Sequence, residues 1–375
     1  MHGNWHGLRK AAMAVMAAMT ALACGAQQAT NTPTASDVGI TSNSILLGAT
    51  FPLSGPAAAY ADIAKSMNAY FQYVNDNGGV NGRKVVFTVV DDGYDPSKTP
   101  LKARELVEQD KIFAAVGNLG TGPNLAVRQY YNDNKVPDLF VFTGSNHWGG
   151  DFAQYPWTIG WQPDYQAEGK IYAKDIVGSN PSAKIAILYQ NDDYGKDYVK
   201  GITDGLGDKA KTMIVSKASY EVTDPTVDSQ IVTLKASGAD VFFNITTPKF
   251  GAQAVRKVYD SGWKPLHIIN NVAASVGAVL TPAGLDKSEG LITIEYYKDP
   301  TDAQWKDDPA MKDWLAFMAK YYPDGKLEDA SNTYGYRAGQ VLVQVMTQCG
   351  RNLERGRALE EDGNGRTREE ARVRA

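Results

Sequence analysis

The sequence predicts an α/β protein of two Rossmann-like lobes joined by a hinge. Short apolar strands alternate with amphipathic helices from about residue 44 to residue 280. The strands are continuous apolar runs, which is typical of parallel sheets covered on both faces. The stretch YPWTIGWQPDYQAEG, residues 155–169, interrupts this rhythm and divides about eight strand–helix units into two groups of four. A single long sheet is the alternative.

The first group starts with ILLGATF and a helix that ends at Gly78 and Gly79. We expect the next helix to begin at Ser97, a good capping residue beside Pro96. In chain order the predicted strands and following segments are 45–51 with helix 58–77, 84–92 with helix 94–110, 113–118 with helix 122–134, and 138–142 with turn 143–150.

The second group repeats the same unit. Its strands KIAILYQ, KTMIVSKASY, DVFFNI and PLHIIN are each followed by a segment with helical spacing of apolar residues. The predicted pairs are 184–190 with 193–209, 211–220 with 224–238, 240–245 with 248–262, and 265–270 with 272–280.

Polar residues recur at the turns that follow these strands. The carboxyl ends of parallel strands meet at one edge of a sheet, so two such lobes place these turns on the facing walls of one cleft. Hydroxyls, amides and free N–H groups gathered there can bind a carboxylate without a full positive charge. For any one residue, capping of the next helix is the alternative. The residues are Ser54, Asn118, Thr121, Gly122, Thr143, Gly144, Ser145, Asn146, Tyr194, Thr246 and Thr247.

The composition and the N-terminal residues argue against nucleic-acid binding and indicate export. The chain has 375 residues, is 43% apolar and carries a formal charge of −4, so it lacks the basic field that nucleic-acid binding uses. Arg9 and Lys10 precede an apolar run of export-signal length. Cys24 then fits either a lipobox, which makes it a lipid anchor, or an A-x-A cleavage site for free secretion, and both stay open. No later run is long enough to span a membrane.

Motifs for catalysis or metal binding are not visible in the sequence. His147 and His267 have no second ligand at metal-like spacing, so we predict no metal, no cofactor and no enzyme activity. A hydrolase whose catalytic pair is assembled only in space remains an alternative. Cys349 is interpreted as a buried small apolar residue near a helix end.

Five stretches together resemble one known family. They are ATFPLSGPAAAY, YVNDNGGVNGRKV, DDGYDPSKT, VGNLGTGPNLA and YQNDDYGKD. In this order and spacing they closely resemble the periplasmic type I solute-binding proteins of the branched-chain amino acid ABC transporter family, over roughly residues 38–350. The resemblance implies the periplasmic binding protein type I fold. It also implies hinge closure on a small carboxylate ligand, delivery to an ABC permease and no chemistry on the ligand.

The family's leucine/isoleucine/valine site implies binding roles in this chain. The serine that binds the carboxylate matches Thr121. The backbone and hydroxyl trio on the next turn matches Gly144, Ser145 and Asn146, and the second-lobe tyrosine matches Tyr194. Five further residues complete the ten that we predict to bind the ligand: Ser54, Asn118, Tyr165, Thr246 and Asn271.

Two positions depart from the family. A second-lobe aromatic is missing near Thr246, and the acid that pairs with the ligand's ammonium is missing near Val272. No Asp or Glu occurs in residues 266–280. A buried ammonium without a partner is unfavourable, so either another acid serves, with Asp164 the nearest, or the ligand has no amine.

Aromatic residues favour an apolar ligand body. The stretch YYKDPTDAQW from Tyr296, together with Trp148, Trp161 and Tyr165, resembles family members that look like carriers of aromatic or aliphatic carboxylic acids. We therefore expect a carboxylate with an apolar or aromatic body, and a branched-chain or other hydrophobic amino acid is the alternative.

The last residues depart from the family as well. Residues 351–375 are rich in Arg, Glu and Gly where family members continue with a helix and further strands. We expect a truncated or frame-shifted C-terminus with a solvated tail and, if strands are missing, an unpaired sheet edge. The predicted organisation is signal peptide 1–23, spacer 24–37, N-terminal lobe 38–160, C-terminal lobe 161–290, return to the N-terminal lobe 291–350, and charged tail 351–375.

The resulting prediction is an exported, monomeric substrate-binding protein of an ABC importer, periplasmic or lipid-anchored on the outer face of the membrane. Its partners are the small ligand and the permease. A ligand-sensing ectodomain and a periplasmic hydrolase are the alternatives.

Overall fold

The structure, a computed structural model, describes residues 36–356. It contains two separate parallel sheets flanked by helices, which confirms the predicted α/β class with two lobes. The predicted export signal, Cys24 and all but two residues of the predicted spacer lie outside the described residues, as does the tail from residue 357. The lobe boundaries at residues 160 and 290 stay a prediction.

The first sheet has five strands, one more than predicted. Its order is β2-β1-β3-β4-β5, and every pairing is parallel. The extra strand, β5, lies inside the stretch that was expected only to interrupt the rhythm. It pairs with β4 through Asp138 opposite Thr158, and at three residues it is too short to show a pattern. The strands are β1 Ser44–Phe51, β2 Lys84–Asp91, β3 Ala114–Val116, β4 Asp138–Val141 and β5 Thr158–Gly160.

The second sheet has four parallel strands in the order β7-β6-β8-β9. Strands β6 and β8 lie in the middle, and nearly all of their residues are buried, as expected for strands covered on both faces. The strands are β6 Ile185–Gln190, β7 Ile214–Tyr220, β8 Val241–Ile245 and β9 Leu266–Ile269.

Helices follow the strands in both lobes. They are α1 Ala61–Asp76, α2 Thr99–Arg104, α3 Thr121–Asp133, α4 His147–Gly150, α5 Tyr165–Ser179, α6 Asp193–Leu206, α7 Ala210–Met213, α8 Asp228–Ala236, α9 Pro248–Asp260, α10 Thr281–Ala283, α11 Pro309–Tyr321 and α12 Ala330–Gln348. Short 3-10 or π turns occupy Ala58–Tyr60, Glu105–Gln109, Gly207–Lys209, Asn271–Ala273, Val276–Leu280, Leu285–Lys287 and Ala303–Trp305.

The predicted cap at Ser97 is wrong. Helix α2 begins at Thr99, and Ser97 instead donates through its N–H and its hydroxyl to the Asp95 carboxylate, at 2.9 and 2.7 Å. Asp95 thus closes a turn over its own following residues, which competes with capping of the helix.

After the second sheet the chain returns to the first lobe. Helix α12 crosses α1 so closely that a Cβ added to Gly335 would lie 2.1 Å from the Ile63 carbonyl oxygen. The Ser66 hydroxyl donates to the Asn332 carbonyl at 2.5 Å. The apolar face of α12 joins the core that α1 forms with the first sheet. Cys349 is buried at the end of α12, as its sequence interpretation predicted.

The first residues of the predicted tail are packed, contrary to the expectation that this segment is solvated. Leu353 is buried, and Arg355 donates through its backbone N–H to Asp37 at 2.8 Å. The Arg355 guanidinium donates to the carbonyls of Phe113 and Ile112. An apolar side chain and satisfied donors hold residues 351–356 against the first sheet, a pattern that the composition of the whole tail hides.

Candidate functional site

A cavity lies between the two sheets, where the carboxyl ends of their strands meet. Together with the part that opens to solvent, its empty space is about 770 Å³. Helix starts from both lobes line it, and so do α1 and the chain that connects the second sheet to α11. The lining residues are Tyr60, Ile63, Tyr94, Leu119, Gly120, Thr121, Phe142, Gln162, Tyr165, Tyr194, Thr247, Asn271, Val272, Ser275, Glu295, Tyr296, Tyr297, Ala330, Ser331 and Tyr334.

Tyrosines dominate the wall, with seven among the lining residues. Their rings contact one another: Tyr165 packs edge-on against Tyr194 at 5.2 Å between centroids, and Tyr297 packs against Tyr334 at 5.4 Å. Burial raises the pKa of Tyr194 and of Tyr334 well above the ordinary value, so these hydroxyls stay neutral donors. The cavity therefore offers flat apolar surfaces with polar rims.

One wall is the start of helix α3. Thr121 is its first residue, and its hydroxyl lies 2.7 Å from the Thr143 hydroxyl. Within the described residues, the N–H groups of Thr121 and Gly122 have no hydrogen-bond acceptor. Unpaired N–H groups at the positive end of a 13-residue helix favour an anion.

Two glycines make room for tyrosine rings beside this wall. A Cβ on Gly120 would lie 2.5 Å from the Tyr94 ring, and one on Gly144 would lie 2.7 Å from the Tyr165 ring. Gly120 also has a φ of +102°, where a side chain is strained. A side chain at either glycine would displace a tyrosine ring from the cavity wall. The Tyr165 ring covers the turn at Gly144.

The structure brings four of the ten predicted binding residues to the cavity: Thr121, Tyr165, Tyr194 and Asn271. They come from four different helix starts or strand ends in the two lobes. The other six, Ser54, Asn118, Gly144, Ser145, Asn146 and Thr246, do not line it.

Three of these six make hydrogen bonds to other parts of the protein. Asn118 is buried, where its side chain accepts from the Thr50 N–H at 2.8 Å and donates to Asp138 at 2.9 Å. The Thr246 hydroxyl donates back to Asn244 at 2.8 Å. Ser54 is exposed, and its N–H points to the Asp91 carboxylate at 3.3 Å.

Ser145 and Asn146 hold a carboxylate of the protein itself. The Ser145 hydroxyl and the Asn146 N–H donate to Asp197 Oδ2 at 2.7 and 3.2 Å, while Gln166 donates to the other oxygen at 2.7 Å. Asp197 belongs to α6 in the second lobe. We call these four residues the Asp197 clasp, because they tie the β4–α4 turn of the first lobe to the second lobe.

The acid nominated from the sequence does not reach the cavity. Asp164 caps helix α5 by accepting from the Ala167 N–H at 2.8 Å, and it also accepts from the Asn146 amide at 3.0 Å. Glu295 does line the cavity while part of its side chain stays exposed, and desolvation raises the pKa of its carboxyl although neighbouring N–H groups donate to it. Glu295 was not predicted, because it lies on the connection to α11 and not at the end of β9, where the family resemblance places the acid.

A buried network supports the wall around Asn271. The Glu168 carboxylate accepts from the hydroxyls of Tyr172 and Tyr198 at 2.9 and 2.7 Å and from the Asn271 N–H at 2.9 Å. Tyr172 in turn accepts from the Ile294 N–H at 2.9 Å. Burial raises the pKa of Glu168 while these hydrogen bonds oppose the rise. The network fixes the strand end and the connecting chain against α5.

The cavity wall carries one carboxylate and no cationic side chain among the described residues. Among the described residues that line it, Glu295 is the only charged one. Within residues 36–356, no three His, Cys, Asp or Glu side chains are grouped so that they could hold a metal ion. In the same range, no helix has the length and apolar character that a bilayer span requires.

Comparison with known proteins shows which family the chain belongs to. The family model described as "Periplasmic binding protein" matches residues 44–361. Leu/Ile/Val-binding protein homolog 1 of Brucella suis is 25% identical over 333 residues, covering 86% of this chain and 84% of the relative.

Two solved structures with the same fold carry informative descriptions. The fatty acid ABC transporter substrate-binding protein from Thermomonospora curvata aligns with a TM-score of 0.76 and 21% identity, covering 89% of this chain and 86% of that one. An ABC transporter solute-binding protein from R. palustris, in complex with 4-hydroxybenzoate, aligns with a TM-score of 0.72 and 17% identity, covering 84% of each chain.

Proposed function

This chain belongs to the periplasmic binding protein family, and from that premise we propose that it is the substrate-binding protein of an ABC importer. It captures a small carboxylate with an apolar or aromatic body in the cavity between its lobes and delivers the ligand, chemically unchanged, to the permease. It works as a monomer outside the cytoplasm, in the periplasm or attached to the membrane by a lipid.

The observation that carries this proposal is the cavity itself. Both lobes contribute to it, so a ligand that fills it contacts both and favours the closed arrangement over an open one. Tyr60 already crosses the gap, where its hydroxyl donates to the Val272 carbonyl at 3.0 Å. Ligand occupancy is thereby coupled to the lobe arrangement that a permease reads.

The carboxylate belongs at the start of α3. The Thr121 hydroxyl and the unpaired N–H groups of Thr121 and Gly122 supply donors for both carboxylate oxygens. The tyrosine rings supply the surface for an apolar or aromatic body. Leucine, fatty acids and 4-hydroxybenzoate, which the descriptions of the relatives name, share this combination of a carboxylate and an apolar part.

A thermal-shift screen tests the proposal. The purified protein is heated with leucine, phenylalanine, 4-methylpentanoate, 3-phenylpropanoate and benzoate, each beside its primary amide. A ligand that binds only the native state raises the melting temperature with concentration. We expect at least one carboxylate to raise it and its amide to fail at the same concentration. Equal shifts for acid and amide, or hydrolysis of the amide by the protein, contradict the proposal.

A further inference from the structure

We propose that the binding site continues past Tyr296 and Tyr297 into a second cavity, where Arg337 binds a second carboxylate of the ligand. The protein then prefers long dicarboxylic acids to monocarboxylic acids of the same length. This inference rests on the proposed function and names a ligand class within it, namely acids with an apolar middle and a carboxylate at each end.

The second cavity lies beside the central one. It is lined by the chain that connects the second sheet to α11, by α11 itself and by α12. Together with the part that opens to solvent, its empty space is about 1010 Å³. Tyr296 and Tyr297 line both cavities. These two residues therefore form a wall that the central and the second cavity share.

Helix α12 shows how close the two cavities are. Tyr334 lines the central cavity, whereas Tyr336 and Arg337 line the second one. Residues 334 and 337 are separated by about 4.5 Å along a helix axis. A ligand needs only a few more carbon atoms to extend from one cavity into the other.

The backbone of the shared wall is held in place. The Glu295 carboxylate accepts from the N–H groups of Tyr296 and Tyr297 at 2.9 and 3.1 Å, and the Asn271 side chain donates to the Ile294 carbonyl at 2.7 Å. The barrier itself consists of rings: Tyr297 packs at 4.9 Å from Tyr296, between centroids. A turn of these partly exposed rings joins the cavities and leaves the backbone hydrogen bonds intact.

The second cavity contains a cation that the protein does not neutralise. Within residues 36–356, the Arg337 guanidinium donates to Gln340 Oε1 at 3.1 Å and forms no ion pair. Lys298, the other cation of this wall, is paired with Asp308 at 2.6 Å. A planar guanidinium matches the two oxygens of a carboxylate with parallel hydrogen bonds. The second cavity thus offers a distal carboxylate a partner that the central cavity lacks.

The rest of this wall suits the apolar part of such a ligand and carries one opposing charge. Met311 and Trp314 are buried and line the cavity beside Tyr336. Asp313 lines it from α11 and forms no ion pair within the described part of the chain. It repels an anion, but it is exposed to solvent, which screens the repulsion, whereas Arg337 is able to bond a carboxylate directly.

Paired calorimetric titrations test the inference. Hexanoate, octanoate, decanoate and dodecanoate are each compared with the α,ω-dicarboxylate of the same carbon number. For at least one of the longer pairs, the wild-type protein is expected to bind the dicarboxylate about tenfold or more tightly than the monocarboxylate. Arg337→Gln should weaken that dicarboxylate by about tenfold and leave the monocarboxylate within about threefold. Lys312→Gln, which removes a positive charge from α11 outside both cavities, should change neither.

Two further variants test the path of the ligand. Tyr297→Ala widens the passage, so the affinity for dodecanedioate relative to hexanoate should rise. Asp313→Asn removes the opposing charge, so it should retain or strengthen dicarboxylate binding, and weaker binding would contradict a carboxylate beside Arg337.

The outcomes separate this inference from the proposed function. The inference is overturned if no dicarboxylate binds more tightly than its monocarboxylate, or if the preference is unchanged in Arg337→Gln or in Tyr297→Ala. Binding of short monocarboxylates then leaves the proposed function standing. If neither this series nor the thermal-shift panel contains a ligand, both are overturned.

Discussion

Gly120 is the residue on which the placement of the aromatic wall depends most directly. Its φ is +102°, and an added Cβ would lie 2.5 Å from the Tyr94 ring. We expect Gly120→Ala to lower the free energy of unfolding by about 1–3 kcal/mol and to weaken ligand binding, because both the backbone and Tyr94 must shift. Denaturant unfolding and titration measure the two effects.

The matched control for this variant is Gly178→Ala. Gly178 lies in helix α5, and an added Cβ there has no neighbour within 4 Å. Alanine at this position should be neutral or slightly stabilising, by up to about 1 kcal/mol. If both variants behave alike, the crowding at Tyr94 does not shape the site.

Thr121 is the residue expected to hold the carboxylate. Thr121→Val removes the hydroxyl but keeps the shape, so we expect the affinity for the best carboxylate to fall about tenfold or more, as for a lost hydrogen bond to a charged group. Thr347→Val is the control, because that hydroxyl bonds only to its own helix, at the Val343 carbonyl. An unchanged affinity in Thr121→Val would place the carboxylate elsewhere.

At the scale of elements, strand β4 carries a buried acid with a pH signature. Asp138 is fully buried, and burial raises its pKa to about 7, although Thr158 and Asn118 donate to it. The folded state therefore holds the proton more tightly than the unfolded state. The contribution of Asp138 to stability is present at low pH and is lost as the pH rises from about 4 to about 7.

Asp138→Asn should remove this dependence. We expect the wild-type protein to gain stability relative to Asp138→Asn by about 1 kcal/mol for each unit of pH lowered from 7 to 5. Denaturant unfolding at pH 5, 6, 7 and 8 gives the comparison, and the difference between the two proteins cancels other titrating groups. A difference that does not vary with pH would show that Asp138 stays ionised in the fold.

Helix α6 is tied to the β4–α4 turn by the Asp197 clasp. Asp197→Ala removes the acceptor for Ser145, Asn146 and Gln166. We expect the lobes of the free protein to populate open arrangements more, so that the radius of gyration rises and the affinity falls about threefold to tenfold. Small-angle X-ray scattering and titration measure these changes.

Asp204→Ala is the control for the clasp. Asp204 lies on the same helix and pairs with Lys200 at the surface at 2.6 Å, so its loss should leave both quantities unchanged. An Asp197→Ala protein with unchanged scattering and unchanged affinity would show that the clasp does not bias closure.

At the scale of the whole molecule, the sequence predicted the architecture better than the wall of the site. Parallel strands and two lobes follow from apolar runs and spacing, which report burial directly. The three-residue strand β5 was missed because so short a strand carries no period. The cap at Ser97 was predicted wrongly because Asp95, two residues earlier, accepts hydrogen bonds from Ser97 itself. The sequence alone does not show which of these two local arrangements forms.

The site was predicted only in part, for a geometric reason. A residue's place after a strand predicts which end of the sheet it occupies but not which way its side chain turns. Thr121 and Tyr194 face the cavity, whereas Ser145 turns to Asp197 on another helix. Glu295 directly precedes the wall residues Tyr296 and Tyr297, but the family resemblance places an acid at the end of β9, so Glu295 was not predicted.

Closure of the two lobes around a carboxylate can be tested by calorimetric titration with an acid and its primary amide. The best carboxylate of the screen is titrated into wild-type protein, and its amide follows under the same conditions. We expect one site per chain, at least tenfold weaker binding of the amide, and recovery of the acid unchanged. Equal binding of acid and amide, or conversion of either one, would contradict it.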